Sequence, residues 1–271
     1  MKKIKELTIQ EEQELQLKIL KTFNKACEEN QIDYFAAYGT LLGAVRDKGF
    51  IKWDDDIDIW MTRDSIIKFK KIFYNYFDES EYFYQDDETD KNSVIPEIVR
   101  ICVYNTYKWP NGCENEKFNK GVYFDIFPLD NGFANDKDKK ILSRMTQKHS
   151  RLYSTIYSSN NKSIKDILKK ILMIVFPRRS IRRKILQLIA SLKDNPKSQT
   201  FVCLPASYGG VKGSLFKSSY FDETIWMDFE DTRIKCPLCY DELLKQIYGN
   251  DYMTPKRTKQ GLTKAYITIG E

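Results

Sequence analysis

Residues 38–61, YGTLLGAVRDKGFIKWDDDIDIWM, set Asp54, Asp55, Asp56 and Asp58 among residues that otherwise read as a buried strand, Trp53, Ile57, Ile59, Trp60 and Met61. Strand alternation resolves the conflict. In DIDIWM, Asp56 and Asp58 project from one face with Cα atoms roughly 6 to 7 Å apart, while Ile57 and Ile59 enter the opposite layer. Carboxylates so placed repel, and their natural compensation is a hard divalent cation such as Mg²⁺, which uses one or two carboxylates together with substrate phosphate oxygens. The alternative is a solvated acidic turn, since DDD is a common turn composition.

The surroundings of the motif bear on that choice. The run IDYFAAY (32–38) reads as a strand delivering Gly39 and Thr40 to a turn, from which a helix starts at Leu41. Gly39 lets backbone approach a phosphate closely, Thr40 offers a hydroxyl, and the helix aims its positive N-terminus at the same anion. Asp125, between Phe124 and Ile126 in another strand-like run, is either a third carboxylate of the centre or a partner for a nearby loop. Arg46 has a planar fork suited to phosphate, and an equal use as an ion pair with Asp54 or Asp55. Arg100, inside the apolar EIVRICVY, needs a partner, either a carboxylate of the site or a substrate phosphate. Asp54 and Asp55 read as the hydrated lead-in to the pair, or as a helper for Arg46.

Elsewhere, Thr8 and Glu11 form a capping-box pattern before a helix whose apolar stripe is Ile19, Leu20, Phe23, Ala26 and Cys27. A second amphipathic helix is expected from about Ser65 to Phe77, then an acidic loop QDDETDKN, then strands at 97–104 and 121–127. Beyond Asp130 three stretches with helical periodicity follow one another, before a short strand TFVCL and a helix CYDELLKQIYG ended by Gly249. The expectation is an α+β fold in one catalytic unit. It comprises a mixed-sheet core with flanking helices (1–130), a helical insertion (131–195), and a closing strand and helix (196–271).

The charge is +6, yet 44 basic residues face 38 acidic ones, which describes a mixed surface rather than a polycation. Nucleic-acid binding is disfavoured, because the chain shows neither aromatic stacking motifs nor a dominant basic face. No apolar run approaches the roughly 20 residues that span a bilayer, and the N-terminus lacks a signal-peptide core, so a cytoplasmic protein is expected. Within KSIKDILKKILMIVFPRRSIRRKIL, apolar positions at helical spacing alternate with lysines and arginines. These helices either pack on the core with their charges in solvent or lie on an anionic leaflet as a peripheral contact. The six cysteines show no disulfide framework, and the Cys236–Cys239 CPLC pair reads as two thiols at a helix start.

Three segments in order, YGTLLGAVRDKGFIKWDDDIDI, GVYFDIFPLD and IYGNDYMTPKR, closely resemble the LicD family, bacterial phosphocholine transferases related to the catalytic domain of fukutin-related protein. The resemblance runs from about Thr8 to Tyr266. It implies a nucleotidyltransferase-like fold, with Gly39 and Thr40 as the glycine turn, Asp56 and Asp58 as the metal pair and Asp125 as the third carboxylate around Mg²⁺, for which Mn²⁺ can substitute. It also implies transfer of phosphocholine from CDP-choline, or of another alcohol phosphate from a CDP-alcohol, to a hydroxyl of a surface glycan, lipid-linked in one version, with release of CMP.

The chain departs from the family at Asp47 and Lys52, where histidine and proline are frequent, and at Gly261 and Lys264, near family histidines. These departures leave the transferred alcohol and the acceptor open. Choline would need an aromatic or acidic pocket. Tyr38, Trp53 and Trp60 are the nearest aromatic residues, but core packing is the preferred reading for each, and none is assigned to such a pocket. Two other functions compete: nucleotidyl transfer to a sugar or small molecule on the same fold, and a non-catalytic acidic metal-binding module.

Overall fold

A computed structural model describes residues 3–90, 98–108, 121–132, 199–209, 211–256 and 264–269, together with isolated positions 144, 183, 187 and 190. The expected helical insertion at 131–195, and with it the basic membrane-facing candidate, lies outside the described residues apart from those positions and the end of one strand.

The fold is α+β. After β1 (Lys3–Glu6) comes α1 (Ile9–Glu29), opened by the expected capping box: Thr8 Oγ1 accepts from Glu11 N at 3.2 Å, and Glu11 returns a carboxylate to Thr8 N at 2.9 Å. Then follow β2 (Phe35–Ala36), α2 (Tyr38–Arg46), β3 (Asp58–Thr62), α3 (Arg63–Tyr76), β4 (Tyr82–Gln85), β5 (Val99–Val103), β6 (Thr106–Lys108) and β7 (Tyr123–Asn131). The remaining elements are β8 (Thr200–Val202), β9 (Leu215–Lys217), β10 (Thr224–Phe229), β11 (Thr232–Pro237), α4 (Tyr240–Tyr248) and β12 (Ala265–Ile269).

The central sheet runs β2-β3-β7-β5-β4, with β8 and β9 continuing from the far end of β7. Its β3–β7 pair is parallel and the other pairs are antiparallel. One face is covered by α1 and α3, where Phe23 meets Phe69 at 4.9 Å and Phe124 at 5.2 Å between ring centroids. By alternation Asp58 and Trp60, with Asp125 and Phe127, share the opposite face. There Trp60 is fully buried, packed edge-on against Tyr38, Phe216 and Phe221. Truncating that ring would cost about 3–5 kcal/mol. Trp60 thus has the packing role, and Tyr38 shares it, donating its hydroxyl to the Gly213 carbonyl at 2.9 Å.

Two departures matter. The closing segment is richer than one strand and one helix: β10 and β11 form a hairpin, and β12 zips β1 to β6 in a separate three-stranded sheet. The hairpin turn at Glu230 (φ 52°) carries none of the Asn-Gly or Asp-Gly chemistry that marks such turns in a sequence. The CPLC cysteines are split between β11 and the residue before α4, and burial pushes the Cys236 thiol up to about 12, which leaves it inert.

Candidate active site

The parallel pairing of β3 with β7 sets Asp58 directly abreast of Asp125, and the antiparallel pairing of β7 with β5 sets Asp125 abreast of Arg100. Gln85 on β4 extends the row. Residues paired in register point to the same face, so one line across four strands reads Asp58, Asp125, Arg100, Gln85. Arg100 donates from Nε to Asp125 Oδ1 at 2.7 Å and from a terminal nitrogen to Oδ2 at 3.3 Å. The site carboxylate is thereby the partner of this buried arginine.

Asp56 lies in the irregular lead-in, because β3 begins at Asp58 and not at Asp56 as the alternation argument required. The reason is local. The Asp58 N–H is taken by Thr40 Oγ1 at 2.8 Å, while the carbonyls of Asp54 and Asp55 bond to Gln13 and Gln16 of α1 rather than to a strand. Asp56 and Asp58 nevertheless share one electrostatic neighbourhood. Burial first, then the charge of Asp54, raises Asp56 well above the ordinary carboxylate value. Asp58 is raised in the same way by burial, then by Asp56, Asp125 and Asp54, with Arg100 opposing.

Gly39 and Thr40 belong to the first turn of α2, which starts at Tyr38 rather than Leu41. Thr40 is committed to fixing Asp58. A Cβ at Gly39 would stand 2.4 Å from Asp54 Oδ2, so the glycine makes room for that aspartate at the positive end of the helix. Asp54 is thus no hydrated lead-in. Burial, then the charge of Asp55, pushes it up to about 6, with Lys108 opposing. One oxygen from each of Asp54, Asp55 and Asp56 fits within 4.8 Å. Arg46 sits roughly 10 Å along α2 from Gly39. It forks onto Asp47 at 2.7 and 3.0 Å instead of reaching Asp54 or Asp55.

The residue least visible in the sequence is Lys108. It is completely buried, ion-paired to Glu12 at 2.9 Å and to Asp55 at 3.3 Å. Burial opposes its charge, but Tyr123, Asp55, Glu12 and Asp56 outweigh burial and hold the ammonium above its ordinary value. The Tyr123 ring lies between two cations, 4.1 Å from the Arg100 guanidinium carbon and 5.1 Å from Lys108 Nζ. A usable signal lay in α1, where Glu12 and Gln16 extend the apolar stripe of Ile19, Leu20 and Phe23 at helical spacing, an odd place for polar residues.

A family model described as the LicD/FKTN/FKRP nucleotidyltransferase domain matches residues 31–179. The chain is 32% identical over 260 residues to a Haemophilus influenzae protein named lipopolysaccharide cholinephosphotransferase LicD, covering 92% of this chain and 93% of that one. The chain belongs to the LicD family. Shorter similarities link this LicD-family chain to uncharacterized proteins of Rickettsia typhi (39% over 70 residues, 26% of this chain and 23% of the relative) and Rickettsia prowazekii (39% over 54 residues, 20% of each). No helix among the described residues is long and apolar enough to cross a membrane.

Proposed function

We propose that this LicD-family chain is a Mg²⁺-dependent phosphotransferase. In this reading it moves phosphocholine, or a similar alcohol phosphate, from a CDP-activated donor to a hydroxyl of a cell-surface glycan precursor. The observation that carries the chemistry is the abreast pairing of Asp58 with Asp125 beside Asp56. The nearly full-length similarity to a cholinephosphotransferase supports the choice of cargo. The donor set fits a hard cation: its ligands are all carboxylate oxygens, suited to Mg²⁺ or Mn²⁺, and the raised Asp56 and Asp58 have charge repulsion that a divalent ion relieves.

Asp56 and Asp58 would hold the ion, with Asp54 within reach of the same place. An ion held by them would supply positive charge against the donor diphosphate and the departing CMP. The first turn of α2, at Gly39 and Thr40, contributes the positive end of a helix to the same region. Asp125, oriented by the Arg100 fork, accepts the proton of the acceptor hydroxyl as its oxygen attacks phosphorus. The bond from phosphorus to CMP breaks, and CMP leaves with the electron pair. Arg100 acts here through Asp125, and Arg46, forked onto Asp47, is given no role in the step. The acceptor glycan, lipid-linked or free, approaches from solvent on the half-exposed side of Asp56 and Asp58.

Incubating the protein with Mg²⁺, a panel of CDP-alcohols and lipopolysaccharide tests this reading. The expected outcome is CMP release matched by alcohol phosphate in the glycan. The matched domain's description favours a second reading, nucleotidyl transfer, which would instead carry the cytidine label into product. No turnover with any CDP-alcohol would sink the proposal.

A further inference from the structure

The acidic loop is held at its main chain as well as through the Asp55 side chain. Gln13 Nε2 donates to the Asp54 carbonyl at 2.8 Å, and Gln16 Nε2 to the Asp55 carbonyl at 2.7 Å. The Lys108 ammonium donates to that same Asp55 carbonyl while pairing with the carboxylates of Glu12 and Asp55. Two buried donors, from α1 and β6, therefore converge on one peptide oxygen. Gln16 is 0% and Lys108 1% exposed, so neither can touch a substrate. Burying an amide and an ammonium is costly unless their donors are used, and apolar residues of the same size would stabilise a plain core at least as well. What the arrangement adds is placement: it turns Asp55 inward and spends no oxygen of Asp56 or Asp58.

The geometry points to Lys108 and Gln16 as positioning residues. Converging on the Asp55 carbonyl, they fix the acidic loop that carries Asp56 and leads into Asp58, so that both are held in place for a divalent cation, with Asp55 as the anchor of the loop. This inference rests on the metal centre proposed above. Partners of this kind, one step behind the ligands, typically change metal affinity by about 10- to 100-fold when removed. A purely structural role would lower stability and leave the folded protein's metal affinity unchanged.

The experiment titrates Mn²⁺ alone, reading the free ion by electron paramagnetic resonance, against the wild type and three variants whose folding is checked by cooperative melting. Gln16→Met conserves volume and every charge, so it is the variant that keeps its fold. It is expected to bind Mn²⁺ about 10-fold more weakly. The Glu12→Gln/Lys108→Met double variant, neutral as a pair, is expected to weaken binding at least as much. In turnover, Gln16→Met should raise the Mn²⁺ concentration needed for half-maximal rate while leaving kcat at saturating Mn²⁺ close to wild type. Folded Gln16→Met with wild-type Mn²⁺ affinity overturns the positioning role, whatever the double variant does. The third variant, Asp56→Asn, separates the two levels of argument. If the wild type binds no Mn²⁺, or if Asp56→Asn binds it undiminished, the metal centre itself falls and takes this inference with it.

Discussion

Strand β7 carries two buried aspartates, each gripped by an arginine fork, and only one of them belongs to a candidate site. Asp130, near the end of the strand, meets Arg63 at 2.7 and 3.0 Å and lies abreast of Val202. Asp125, near the start, meets Arg100 at 2.7 and 3.3 Å and lies abreast of Asp58, with Asp54 and Asp56 close behind. At Asp130 one carboxylate faces one guanidinium fork. The Asp125 end leaves carboxylates over. A buried ion pair is therefore no marker of function by itself; an imbalance of like charge that Arg100 and Lys108 together leave uncancelled is.

Asymmetric responses of the two ends to the same chemical change would sharpen the contrast, and matching responses would break it. The largest effect is expected at Asp58→Asn or Asp56→Asn. CMP release in Mg²⁺ should fall about 10³-fold or more, with a metal-free Tm equal to or above wild type because repulsion is relieved. Full activity in either variant would sink the assignment. Asp130→Asn should do the reverse. Urea denaturation should report a loss of about 3 kcal/mol from breaking the Arg63 fork on the buried Asp130, with activity per folded molecule within about twofold of wild type.

Gly39→Ala comes next. The new methyl must displace the Asp54 carboxylate, so a roughly 10-fold loss of activity is expected. Stability should be unchanged or up to about 1 kcal/mol higher, since alanine favours a helix. The smallest effect is on pH dependence. Asp54 is pushed up to about 6 in the fold, so its protonated form is favoured there. The stability this contributes is complete below its unfolded value of 3.8 and is lost as pH rises through about 6. In chelator, wild type should therefore lose a few degrees of Tm relative to Asp54→Asn across that window. Saturating Mg²⁺ should remove the difference. A Tm gap that widens with pH in wild type's favour would contradict the crowding of these acids.

Much of this was legible because it rests on short-range rules. The capping box of Thr8 and Glu11, the α3 stripe of Ile66, Phe69 and Phe73, and the strands around Asp58 and Asp125 all follow from local periodicity. The loss began where alternation was carried past its support. Asp56 reads as a strand residue only if nothing else claims the loop's main chain, and the glutamines of α1 do claim it. Arg46 was a candidate for the site by sequence distance, yet a helix moves residues along its axis, and Asp47 was nearer. Lys108 had no local signature, because a lysine within TYK becomes a buried counterion only through contacts with residues far away in the chain. Strands β10 and β12 were missed for a related reason, as their partners supply the context that their own composition does not.

The three-stranded sheet has a consequence in time as well as in space. Lys108 lies on β6, and β6 is paired by β12, with Ala265 abreast of Lys108 itself. During synthesis every acid of the site emerges by Asp125, while the strand that pairs with the one carrying their internal cation begins only at Ala265. A nascent chain halted before residue 265 would carry the whole sequence motif and still lack a finished site. A ribosome-bound intermediate that lacks β12 would hold the acids without the strand that pairs beside their internal cation.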